Sequence, residues 1–103
     1  MIIRIWRGFT PASKADPYLD YLLKTGVKDY LAIEGNRGAQ VLRRIEGERA
    51  EFLVASRWDS WEAIRRFAGD DYERAVYYPE DKEFLLEFEP NVLHYEVLHE
   101  AVT

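Results

Sequence analysis

The chain has 103 residues, 48% of them hydrophobic and 15% aromatic, which is enough apolar matter for one packed domain over 1–103 and too much for disorder. Its formal net charge of -5 argues against nucleic acid or an anionic membrane as partner, and the lack of cysteine excludes disulfides, thiolate metal sites and cysteine nucleophiles. No apolar run approaches the roughly 20 residues of a membrane span, and Met1 to Ile5 reads as a strand, not a signal peptide, so a cytoplasmic protein is expected.

Ile2 to Arg7 is the first strand, rich in β-branched and aromatic residues, with Ile3, Ile5 and Arg7 on one face and Ile2, Arg4 and Trp6 on the other. Gly8 to Ala15 reads as a loop. Asp16-Pro17 then suits an N-cap followed by proline at the first helical position, opening a helix lined by Leu19, Leu22 and Leu23. Gly26 is placed at its C-terminal stop, with one further turn over Lys28 to Leu31. After the turn formers Glu34 to Gly38, the second strand runs from about Ala39 to Ile45. Glu46-Gly47-Glu48 makes a hairpin into the third, about Ala50 to Trp58.

At Trp58 the pattern changes from strand period to helix period. Asp59, with Glu62 three residues on, has the spacing of a capping box, and Trp61, Ile64, Phe67 and Ala68 form one helical stripe closed by Gly69. Asp70-Asp71 suggests a second cap and a helix through Tyr72, Ala75 and Val76, ended by Pro79. Glu80 to Glu89 reads as a solvated acidic face, and the last strand as Val92 to His99.

The order is β-α-β-β-α-β, that of an α+β, ferredoxin-like sandwich. The first and third strands are apolar on both faces, and helices in so short a chain can cover only one. A homodimer joined sheet to sheet is therefore expected, with the Ile2, Trp6 face buried between the copies. The strand ending at Trp58 and the helix folding back from it could enclose an apolar pocket.

Ile3-Arg4-Ile5-Trp6-Arg7-Gly8, Gly35-Asn36-Arg37-Gly38, the Trp-x-Ser-x-x-Ala step at Trp58 to Ala63, and Tyr72 to Pro79 together resemble the antibiotic biosynthesis monooxygenase superfamily of dimeric α+β barrels. Two activities are known there. One group oxygenates aromatic polyketides with molecular oxygen and neither metal nor flavin. Another degrades haem, using an asparagine on the first strand, a tryptophan in the second helix region and a histidine ligand beyond it. Counted from Trp58, Phe67 stands where that tryptophan falls, Tyr77 where the histidine falls and Arg7 near the place of the asparagine, so haem degradation loses most of its support. The polyketide pattern departs too, its polar residue near the end of the third strand being replaced by Val54 or Ser56.

The resemblance thus implies a cofactor-independent monooxygenase for a small phenolic or polyketide-like aromatic, with no metal or other cofactor. Tyr77 would hydrogen-bond the developing oxyanion and Arg7 would favour the anion, while Trp58, Phe67 and Tyr78 would wall the pocket. Core packing for the tyrosines and a solvated strand end for Arg7 are the plain alternatives. A non-catalytic small-molecule-binding dimer is the alternative at the level of function. His94 and His99, five apart on one strand, fall on opposite faces and cannot share a metal; with Leu93, Tyr95 and Val97 assigned to the core, His94 should point away from it.

Overall fold

The computed structural model describes residues 1–103. Four antiparallel strands, β1 (Ile2–Pro11), β2 (Asn36–Glu46), β3 (Arg49–Trp58) and β4 (Leu93–Glu96), lie in the order β2-β3-β1-β4. Helices α1 (Ala15–Lys24), α2 (Gly26–Leu31) and α3 (Trp61–Ala68) complete the ferredoxin-like α+β order. No helix is long and apolar enough to cross a membrane.

β1 continues through the expected loop as far as Pro11, because its partner β3 offers an unbroken ladder from Trp58 back to Arg49. Gly8 serves a packing purpose in it. A side chain there would collide with the Trp6 ring, which folds over this backbone toward the helices. Gly26 does not end a helix; it opens α2 after a break at Thr25, whose N–H and hydroxyl both bond back to the Tyr21 carbonyl. The β2–β3 turn is centred on Gly47, at φ 61°.

The cap of α3 falls one residue later than expected. Ser60 Oγ accepts the Ala63 N–H at 3.1 Å, while the Asp59 carboxylate is taken by Arg37 in two 2.8 Å bonds. Gly35 lets α3 settle close against the start of β2: it has φ 96°, and a Cβ there would sit 2.5 Å from that of Ala63.

The segment after Gly69 forms no helix. Arg74 bridges Asn91, the Ala75 N–H bonds the Pro90 carbonyl and the Val92 N–H bonds the Glu73 carbonyl, each at 2.8 Å. Backbone groups that a helix would use internally are thus spent on a neighbouring stretch of chain. Pro79 to Glu83 is a short 3₁₀ turn, and β4 is only four residues long.

The strand faces are the reverse of expectation. Ile2, Arg4 and Trp6 of β1 and Ala50, Phe52, Val54, Ser56 and Trp58 of β3 face the helices, where they are buried with Tyr18, Leu22, Tyr30 and Ile64. Ile3, Ile5 and Arg7 lie on the open face. Parity carries through to β4: Leu93 and Tyr95 are 59% and 54% exposed, and His94 points inward. The cause is that both faces of β1 and β3 are apolar, so alternation alone does not say which the helices cover. On the open face, rows Leu42–Leu53–Arg7, Gln40–Ala55–Ile5–Leu93 and Arg57–Ile3–Tyr95 run across the sheet.

Candidate functional site

Between the sheet and the helices lies a cavity with aromatic walls, the rings of Trp6, Tyr18, Tyr30, Phe67 and Tyr77 among them. Its volume is about 30 Å³, room for a water or two, and the gap reaches about 470 Å³ only when the open solvent at its mouth is counted. The rings brace one another: Tyr30 meets Phe67 edge-on at 4.6 Å, and Trp6 meets Tyr77 edge-on at 6.3 Å.

Two charged side chains share this apolar wall. Arg4 is 1% exposed. Its guanidinium donates to the Tyr72 carbonyl, to the Arg74 carbonyl at 3.1 Å and to His94 Nε2 at 3.1 Å, and it lies 5.7 Å from the centre of the Phe67 ring. Arg4 Nε has no partner. Burial lowers the pKa of this guanidinium, with the Tyr30 hydroxyl acting the other way; an arginine nevertheless keeps its charge. Asp81 is 5% exposed, and its Oδ2 accepts the Tyr78 N–H at 2.6 Å. Burial raises its pKa, against the opposing pull of the Tyr78 N–H and the Tyr21 hydroxyl.

His94 stands beside Arg4, its ring packed between Trp61 and Tyr72 at 5.3 and 5.4 Å. Since arginine has no acceptor, His94 Nε2 must accept the Arg4 bond, which assigns the proton to Nδ1. Burial first, and the Arg4 charge second, push its pKa down to about 4.

Of the residues singled out from the sequence, Phe67, Tyr77 and Tyr78 line the cavity. The Tyr77 hydroxyl donates to the Glu89 carbonyl at 2.5 Å and accepts Trp6 Nε1–H at 3.3 Å, so its proton is already engaged. Tyr78 donates its own hydroxyl to Asp29. Trp58 is fully buried one layer back, packed on Tyr30 and Phe67 and donating to Ser56 Oγ at 2.9 Å; it braces the wall without forming it. Arg7 is on the opposite face of the sheet, paired with Glu51 at 2.6 Å, and does not reach the cavity. The arginine of the cavity is Arg4, whose sequence signal was a charge set between isoleucines on the face shared with Ile2 and Trp6. Asp81 was hidden in an acidic run that is otherwise solvated. His99 lies exposed beyond β4.

No protein-family profile and no curated relative matches the sequence. Solved structures do match it along its whole length. A Bacillus cereus protein described as a putative antibiotic biosynthesis monooxygenase superposes with a TM-score of 0.65 at 18% identity, over 99% of this chain and 95% of its own. The chain shares the fold of the antibiotic biosynthesis monooxygenases. Rv0793 of Mycobacterium tuberculosis matches with a TM-score of 0.64 at 21% identity, over 99% of this chain and all of its own. The haem degrader MhuD of the same organism, solved with two haems in its active site, gives 0.62 at 21%, again over 99% and 100%.

Iron in a haem needs an axial ligand from the protein, and three of the candidate side chains are already engaged. His94 Nε2 is held by Arg4, the Tyr77 hydroxyl by Glu89 and Trp6, and the Tyr78 hydroxyl by Asp29. Three or more His, Cys, Asp or Glu side chains able to hold a metal ion are nowhere gathered together.

The depressed His94 pKa makes stability depend on pH. Between pH 6.5 and about 4 the unfolded chain protonates this histidine and the folded one does not, so stability is complete above that window and is lost as pH falls through it. Asp81, raised by burial, has the opposite sign, and its contribution cancels when two proteins that both carry it are compared. The expected result is a melting temperature that falls more steeply on acidification for the wild type than for His94→Asn. Parallel curves across the window would contradict it.

Proposed function

We propose that the protein is a cofactor-independent monooxygenase that oxidises an electron-rich aromatic, phenolic or polyketide-like, with molecular oxygen. The observation that carries the reading is the aromatic-walled cavity beside the buried cation of Arg4, in a fold shared with the antibiotic biosynthesis monooxygenases. Triplet oxygen reacts slowly with closed-shell molecules, but an aromatic anion can give it one electron and then recombine with the superoxide formed. For a reacting methylene, one oxygen atom becomes the new carbonyl and the other leaves as water with the two hydrogens. The protein's part is to promote loss of the first proton, hold the anion and keep bulk water out. Phe67 and Tyr78 supply wall. Tyr77 hydrogen-bonds the oxyanion once its proton leaves the Glu89 carbonyl.

A second reading, a binder without turnover, is favoured by that same engaged Tyr77 proton and by the narrow interior of the cavity. Oxygen uptake separates the two. Chelator-treated protein should consume oxygen with an anthrone-type substrate, and Tyr77→Phe should slow the reaction about a hundredfold while remaining folded. Binding with no uptake, loss of activity to the chelator, or an unchanged Tyr77→Phe would each contradict the oxygenase reading.

A second copy of the chain is proposed to cover the open sheet face, burying Ile3, Ile5, Leu53, Leu93 and Tyr95 about a twofold axis. Four strands with helices on one side leave this apolar surface to water in the monomer, and Leu93 and Tyr95 are large exposed side chains. Equilibrium sedimentation should give twice the chain mass of 12.2 kDa, and Ile5→Arg should halve it. A stable wild-type monomer at micromolar concentration would overturn the dimer.

A further inference from the structure

The Arg4 charge has no counter-ion within the protein. Every ion pair in the molecule is made by other residues, on the surface. Three of the five guanidinium N–H groups are held by two carbonyls and a neutral imidazole, none of which brings a negative charge, and the Nε–H is bonded to nothing. Asp81, the carboxylate of the same cavity, makes no ion pair with Arg4; it is bonded to the Tyr78 N–H, and burial moves it toward its neutral form. A buried cation left in this condition is costly, and an anion placed against it recovers interaction that water cannot supply there.

The surroundings say what kind of anion. The guanidinium lies over Phe67, and Arg4, Trp6, Tyr18, Tyr30 and Phe67 all line one cavity, so the occupant must be mostly flat and apolar. One guanidinium matches one carboxylate or one ionised phenol or enol in a planar, two-bond geometry. A phosphate would bring a second charge and a larger hydration shell to a site with a single cation. His94 adds no second positive charge at neutral pH, because its Nε2 lone pair is occupied by Arg4.

We propose that the ligand of this cavity is an aromatic monoanion, its oxygens paired with the Arg4 guanidinium and its ring set against Phe67 and Trp6. The proposal deepens the oxygenase reading, on which it rests for what happens to the ligand after binding: the same cation that selects the anion would hold it ionised for attack by oxygen. The selection itself is a matter of binding and is measurable without turnover.

The test is calorimetric titration of the full chain at neutral pH with benzoate and with its neutral, nearly isosteric partner benzamide. Benzoate should bind at least about tenfold more tightly, and Arg4→Met should remove that preference. Arg4→Lys keeps the charge without the planar fork and should fall between the two; it serves if Arg4→Met does not fold. Equal affinity for the two probes, no binding of benzoate to the folded wild type at millimolar concentration, or a preference that survives in Arg4→Met would overturn the proposal. Oxygen uptake from aromatics without any charge preference would overturn it and leave the oxygenase reading standing. A charge preference without oxygen uptake would support it and remove the oxygenase reading.

Discussion

The buried guanidinium of Arg4 joins three parts of the chain that are far apart in sequence. It sits on β1, takes carbonyls at Tyr72 and Arg74 in the segment after α3, and donates to His94 on β4. Taking a cation out of water costs several kcal/mol even after the protein relaxes around it, so these acceptors and the Phe67 ring are needed to keep it inside. Their geometry has a structural consequence. Carbonyls at 72 and 74 that turn inward toward Arg4 are withdrawn from any helical ladder, and this segment runs as irregular chain held to residues 90–92.

The walls of the cavity follow from that placement. Gly8 lets the Trp6 indole lie across its own strand, and the indole N–H then fixes Tyr77, whose hydroxyl is held from the other side by the Glu89 carbonyl. Phe67 is set by Tyr30 and Trp58 behind it. The rings are therefore braced in position by the packed protein, and with room inside for only a water or two a flat ligand would have to enter through the open mouth. The outer face of the sheet has the opposite character. There Arg7 is neutralised by Glu51, and an apolar band runs between such pairs.

Features fixed by neighbouring residues were legible in the sequence. Gly47 between two alternating runs gives the β2–β3 hairpin, and the stripe from Trp61 to Ala68 closed by Gly69 gives α3; both depend on local backbone preference. Features fixed by distant contacts were not. Because β1 and β3 are apolar on both faces, a choice of parity had to be made with nothing to decide it, and that one choice exchanged Arg4 for Arg7 and turned His94 away from the core. The expected helix at Tyr72 to Val76 failed for a related reason, since its backbone partners, Arg4 and residues 90–92, lie outside any local window. Asp81 resembles its solvated acidic neighbours until the Tyr78 backbone and the Tyr21 ring are folded around it.

The function of the cavity turns on whether it presents an unneutralised cation to its ligand. A crystal structure of the protein grown with benzoate examines that directly. The carboxylate should lie on the Arg4 guanidinium, with the ring between Phe67 and Trp6 and the Tyr72 and Arg74 carbonyl bonds preserved. A carboxylate bound elsewhere beside an empty cavity, or an Arg4 turned to pair with Asp81, would contradict it.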